Sequence, residues 1–216
     1  MPKILTIVPT RNRNEKCKEF AEQFFKTTNC SYLVYGLDDD DQHNYDRLPN
    51  IIYDVNPRLK MNGTLNLLAT KYCKEYDYIC FMGDDVRPMT KDWDILLYNS
   101  IKDKKYGIAY GNDLIKGQHL PTSVFMDSRI IQTLGFMAPP VLIHLCLDNF
   151  WKELGERLGT LVYSPDIILE HFHFIRGKSE KDATYAEINK GVTKHDKKHF
   201  IKYIETDFEK DIGKLV

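Results

Sequence analysis

The chain has 216 residues, 43% of them hydrophobic, and 30 Lys plus Arg stand against 31 Asp plus Glu for a formal net charge of -1. That is enough apolar material for one sizeable core. The balanced charge excludes a protein built around bulk electrostatic binding of nucleic acid, while leaving room for a local basic patch. The five cysteines contain no Cys-x-x-Cys pair and read as reduced, mostly buried thiols. Met1-Pro2-Lys3 runs into an apolar segment too short for a signal-peptide core. The longest greasy stretch, 134–147, is broken by Pro139-Pro140 and carries His144. A soluble, cytoplasmic protein is the expectation.

Residues 3–8 (KILTIV) are a continuous apolar run, the pattern of a strand covered on both faces. A polar loop, Pro9-Thr10-Arg11-Asn12-Arg13, comes next, and then Cys17, Phe20, Ala21, Phe24 and Phe25 at helical spacing. Residues 31–36 and 51–53 predict two more strands, and Leu65, Leu68, Ala69, Tyr72 and Cys73 a second amphipathic helix. Residues 77–82 are the fourth strand. Thr90 is placed to cap a helix whose core face is Trp93, Leu96, Leu97 and Ile101. Short strands are expected at 107–111 and 122–126, then a short helix stopped by Gly135 and another ended by Gly159. Two strand-like stretches, 161–163 and 167–172, precede a last helix opening at Thr193 with Phe200, Tyr203, Ile204, Phe208 and Ile212 on one face. Alternating strands and helices in the first half predict an α/β fold with a mainly parallel sheet flanked by helices; the second half is mixed. The chain shows no internal repeat and no linker.

In an open parallel sheet, ligands bind beyond the carboxyl ends of the strands. Three such ends are chemically unusual here: the loop 9–13, the run Asp38-Asp39-Asp40-Asp41, and the pair Asp84-Asp85. Two adjacent carboxylates at the end of a buried strand repel each other, and burial worsens the cost. A divalent ion such as Mg²⁺ or Mn²⁺ removes that cost and shares phosphate oxygens with a substrate. Gly83-Asp84-Asp85 is equally good turn chemistry needing no metal, so the residues alone leave both readings open. Asp38–Asp41 reads as a solvated loop, or as a place where Asp38 or Asp39 accepts a hydrogen bond from a base or ribose. Thr10, Arg11 and Arg13 read as exposed groups at a helix start, or as contacts to ribose and phosphate. Asp148 begins an amphipathic helix, either as an N-cap or first-turn acid complementing the helix dipole or as a general base. In ILEHFHF, His171 and His173 share one strand face, a better pattern for a metal or phosphate contact than a lone core histidine.

The order of these features resembles the GT-A-fold glycosyltransferases, specifically glycosyltransferase family 2. It runs VPTRNR after a strand, an Asp cluster after the next, MNGTLNLLA, GDDV with Pro88 beyond it, LDNFW on a helix, and LEHFH, covering about residues 3–175. The resemblance implies a single GT-A-like domain. Residues 1–115 would form the nucleotide-sugar-binding half, 116–175 the acceptor half, and 176–216 a mobile loop and C-terminal helix. It implies that Pro9, Thr10 and Arg11 form a nucleotide loop, with Asp38 or Asp39 reading a base, commonly uracil. Asn62, Gly63 and Asn66 would pack under the nucleotide sugar, with Lys60 near the phosphates. Asp84-Asp85 matches the metal-binding acid motif, with Asp85 as ligand and a late histidine, His171 or His173, joining it. Asp148 falls at the catalytic base. The sequence departs from the family in having only two acids between Gly83 and Val86, and Leu147 rather than an acid before Asp148.

The activity implied by this resemblance is that of an inverting transferase, dependent on Mn²⁺ or Mg²⁺, moving a sugar from a nucleotide donor such as a UDP-sugar to a hydroxyl. Arg176 and Lys178 read as an ordinary solvated basic loop or as groups closing over the diphosphate. The acceptor is open: a saccharide, a lipid-linked or protein hydroxyl, or hydroxymethylated DNA all fit, since the lysine- and histidine-rich C-terminal segment suits an anionic acceptor. A nucleotidyltransferase is the enzyme alternative, disfavoured because residues 9–14 hold no glycine. A non-catalytic nucleotide-sugar-binding module is the other.

Overall fold

The computed structural model describes residues 1–172 and 190–216. The run KILTIV becomes strand β1 (Ile4–Thr10), buried at every position because both faces are covered. Period-two alternation sends Leu5 and Ile7 into one apolar cluster and Ile4 and Val8 into the other. Around it the chain adds β2 (Ser31–Asp38), β3 (Ile51–Asn56) and β4 (Tyr78–Phe81) as parallel neighbours. The second half supplies β5 (Val86–Pro88), β6 (Ile108–Asn112), β7 (Val124–Asp127) and β8 (Leu161–His171). Among the described residues the sheet has eight strands in the order β3-β2-β1-β4-β7-β6-β8-β5, with β7 antiparallel to β4 and β6, and β5 antiparallel to β8.

Helices cover both faces. On one side α1 (Asn14–Thr27) and α3 (Trp93–Ile101) bury Phe20, Phe24, Trp93 and Leu97. On the other, α2 (Lys60–Tyr72), α4 (Ser128–Leu134) and α5 (Leu147–Leu158) pack with α6 (Lys190–Thr206) and α7 (Phe208–Leu215) around Leu65, Phe81, Phe150, Trp151 and Ile212. Each large side chain removed from water contributes about 1.5–3 kcal/mol, so these two layers fix the strand ends where they lie.

Four local expectations are corrected. Thr90 does not cap α3; that position is Asp92 in a left-handed conformation (φ 57), while the Thr90 hydroxyl donates to Asp166 O and accepts from Ile168 N. The two short strands after residue 160 are one strand, β8, whose register on β6 jumps from Ser164 to Ile168 between Gly111 and Asn112. A side chain at Gly111 would come within 2.4 Å of Ile167 O, so only glycine admits the bulged strand. The last helix starts at Lys190 and breaks at Asp207 into two. Lastly, the acid run is not a solvated loop: Asp38 and Asp41 are buried, and only Asp39 and Asp40 are exposed.

Candidate active site at the carboxyl edge of the sheet

The turn after β4 is closed by Val86 N donating to Gly83 O (3.0 Å), so Gly-Asp-Asp is a turn. Its two acids face different partners. Asp84 accepts from Arg13 Nη1 (2.6 Å) and from the Thr10 hydroxyl (2.7 Å). Desolvation raises its carboxyl, opposed by the Arg13 charge and reinforced by the charge of Asp85. Asp85 Oδ2 instead lies 3.4 Å from His171 Nε2. Strand β5 makes that meeting: its register sets Val86 opposite His171, and Phe172 N donates to Asp85 O (2.8 Å). Burial lowers the His171 imidazole, and this is outweighed by its bond to Asp85 and the charges of Asp85, Asp113 and Asp84, which raise it.

The loop after β1 and the acid run after β2 lock together. Arg11 donates to Asp38 Oδ2 (2.8 Å) and through two nitrogens to Asp40 (2.6 and 2.9 Å), a forked pair. Arg11 thereby holds Asp40 below the usual carboxylate range, whereas burial raises Asp38 against the pull of Arg11. Asn12 N donates to Asp41 Oδ2 (2.7 Å), and Arg13 N to the Tyr45 hydroxyl (3.2 Å). Pro9 lies within β1, beside Gly36 of β2. Asp39 donates its N–H to Asn56 O (2.8 Å).

Lys60, Asn62, Gly63 and Asn66 line a cleft of about 420 Å³ between α2 and residues 135–143. The Asn62 amide is buried and donates to Pro139 O and Leu142 O. Asn66 accepts from Met137 N and Ala138 N and donates to Ala138 O. Both amides therefore hold the 137–142 loop. Lys60 opens α2 at a positive φ of 60, and Cys146 precedes α5 at 65, costly conformations for residues with side chains.

Asp148 stands in the first turn of α5, where its Oδ1 accepts from Asn149 N (2.9 Å). Cys146, not Asp148, is the N-cap. Part of the Asp148 side chain reaches solvent, yet protein atoms crowd it; desolvation raises its carboxyl against its local hydrogen bonds and the charges of Lys116 and His171. Asp148, His171 and Asp85 thus share one electrostatic neighbourhood. His173, Arg176 and Lys178 lie outside the described residues.

Three contributors escaped the sequence. Arg87, buried on β5, donates to Asp84 O and Val86 O (2.8 Å each) and to Glu19, bracing the turn. Asp113 accepts three backbone N–H groups, from Ile115, Lys116 and Gly117, and its main-chain oxygen receives His171 N (3.2 Å). Lys116 rides on that loop. The one signal was Asn112-Asp113 at a strand end, equivalent in place to the other acid ends.

The mixed, mostly parallel sheet with helices on both faces has the GT-A fold, the fold of the glycosyltransferases it resembles. Among solved structures, S. aureus TarS is similar at 14% identity and TM-score 0.59, over 77% of this chain and 59% of the TarS fragment; this chain thus spans about three fifths of it. The mannosyltransferase PcManGT from Pyrobaculum calidifontis, in complex with GDP-Man and Mn²⁺, is similar at 10% identity and TM-score 0.58, over 99% of this chain and 73% of that one. Glucosyl-3-phosphoglycerate synthase from Mycobacterium tuberculosis, with Mn²⁺, UDP and glucosyl-3-phosphoglycerate, is similar at 11% and 0.53, over 80% and 72%. The sequence matches no family model and no curated protein.

Proposed function

We propose that the protein is a nucleotide-sugar glycosyltransferase that moves a sugar from a UDP-sugar to an acceptor hydroxyl, with inversion at the anomeric carbon. The observation that carries this reading is the split between Asp84 and Asp85. One acid is neutralised inside the protein by Arg13, and the other is turned toward His171 at the carboxyl edge of a GT-A sheet.

The donor set suits a divalent cation. Asp85 Oδ2 and His171 Nε2 are 3.4 Å apart, near the ~3 Å between adjacent ligands on an octahedral ion with bonds of ~2.1 Å. Among the described residues no group of three or more His, Cys, Asp or Glu has metal-holding geometry. Asp85 and His171 would therefore hold the ion with help from donor phosphates and water, the habit of Mg²⁺ and Mn²⁺, and the imidazole favours Mn²⁺. When bound, such an ion supplies charge neutralisation to the departing diphosphate.

The chain's own groups do the rest. Arg13 keeps Asp84 out of the ion's reach and fixes the turn. Arg11 holds Asp38 in place with an acceptor oxygen for the base. Lys60 and Lys116 bring cationic charge to the phosphate and acceptor sides. Asp148, its carboxyl raised by burial, is a stronger base than an exposed aspartate and takes the proton of the attacking hydroxyl. Attack from the face opposite the diphosphate inverts the sugar. Incubation with Mn²⁺, a panel of UDP-sugars and hydroxyl acceptors, reading UDP release, tests this. EDTA should abolish turnover, and Asp148→Asn should remove it while donor binding persists. Turnover that survives EDTA, or no UDP-sugar bound at all, defeats the reading.

A further inference from the structure

Helix α6 carries His195 and His199 one turn apart, on one face. Their rings are stacked, with centroids 3.9 Å apart and planes 23° apart. In each ring Nδ1 is engaged. That of His195 lies 3.0 Å from Asp196 Oδ1, and that of His199 lies 2.8 Å from the main-chain oxygen of His195. A carbonyl oxygen and an ionised carboxylate only accept, so both Nδ1 atoms carry the hydrogen. In the neutral rings the unshared pair is then on Nε2. Imidazoles that ligate metals have this arrangement: one nitrogen for the ion, the other N–H given to a carboxylate or a carbonyl, which fixes the tautomer.

The carboxylate behind His195 is itself held rigidly. The Asp196 side chain is fully buried and accepts the N–H groups of Ile143 (2.9 Å), His144 (2.8 Å) and Leu145 (2.7 Å). The stacked rings aim their Nε2 pairs nearly parallel, so holding one ion requires the two rings to unstack and open toward it, and neither half-buried ring is enclosed by the fold.

We propose that His195 and His199 form a binding site for a borderline divalent transition ion of the Zn²⁺ class. Imidazole pairs select Zn²⁺, Ni²⁺ and Cu²⁺ over Mg²⁺, which sets this site apart from the oxygen-rich one at Asp85. Two protein ligands leave coordination positions for water or another molecule, the character of an open site rather than a closed structural one.

Calorimetric titration of the full chain with ZnCl₂, in buffer holding excess Mg²⁺, tests the site. Replacing histidine by asparagine keeps an N–H donor near Nδ1 and deletes Nε2. The wild type should bind Zn²⁺, and one equivalent per chain should remain in Asp85→Asn, which lacks the ligand of the other proposed metal site. His195→Asn and His199→Asn should each weaken binding of that equivalent at least tenfold. No binding by the wild type, binding unaffected by both asparagine variants, or binding lost with Asp85→Asn overturns the proposal. If His195→Asn perturbs α6 through Asp196, His199→Asn decides alone, because its Nδ1 bonds only within its own helix; far-UV circular dichroism confirms that the helix is intact.

Discussion

Arg13 Nη1 lies 2.6 Å from Asp84 Oδ1, and both side chains are more than nine-tenths buried. The pair joins residues 71 apart in sequence and ties the loop after β1 to the acid turn. Removing one partner strands the other as a buried, unpaired charge, which costs about 3–5 kcal/mol. Arg13→Ala should therefore lose that much stability in urea titration. Adding Asp84→Asn to Arg13→Ala should recover part of it, since the stranded charge is gone. A loss under about 1 kcal/mol for Arg13→Ala would mean that the pair is solvated.

The two acids should also separate by phenotype. Asp85→Asn should leave Tm nearly unchanged and abolish Mn²⁺-dependent UDP release, whereas Asp84→Asn should act mainly on stability. Gly83→Ala offers an independent probe. Its new Cβ would fall 2.7 Å from Asp85 Oδ1, the end of a side chain that can move aside. Stability should fall by less than about 1 kcal/mol, while Mn²⁺ affinity falls with the displaced carboxylate. Calorimetric Mn²⁺ titration of Gly83→Ala reads this directly, and unchanged affinity would remove Asp85 from the metal set.

The strand ends that hold this chemistry were legible because a buried strand writes a long apolar run and stops at polar residues, as KILTIV stops at Pro9-Thr10-Arg11. Helical faces were legible for the same reason: Phe20 and Phe24, or Phe150 and Leu154, recur at helical spacing. Strand β5 was not legible. Val-Arg-Pro has no periodicity, contains a proline, and exists only because β8 lies beside it. Nor did sequence say which acid of the pair turned inward, because Arg13 reaches Asp84 only after β1 and β4 pair. Asp94 shows the same limit. It looks like a first-turn surface acid, yet it is fully buried and accepts from Thr28, Asn29, Cys30 and Ser31.

Asp196 should govern acid stability. Burial alone would raise its carboxyl, but the N–H groups of Leu145, His144 and Ile143 and the His195 ring outweigh burial and hold it below the ordinary range. A carboxyl lower in the folded than in the unfolded state adds stability that is complete above the unfolded value, about 3.9, and is lost as pH falls through the lower folded value. Asp196→Asn should lower Tm at pH 7, and the gap to wild type should close as both are acidified below about pH 4. A gap independent of pH would show that packing, not charge, is what Asp196 supplies.

Asp148 should behave in the opposite sense. Burial raises its carboxyl, so the unfolded chain gives up this proton at lower pH than the folded one. Ionisation then costs the folded state stability as pH rises from about 3.9 to the raised folded value, and the cost is full above it. Asp148→Asn should therefore be more stable than wild type at pH 7, with the Tm difference vanishing in acid. The same substitution should lower kcat by roughly 10²–10⁴ with UDP-sugar binding intact, the usual worth of a general base. In the wild type, kcat/KM should climb with pH through the raised Asp148 value, because only the carboxylate can take the acceptor's proton. A variant that gains stability and loses turnover together identifies Asp148 as a residue held in an unfavourable place for its chemistry. A variant that loses stability and keeps turnover would make it a helix-start acid and nothing more.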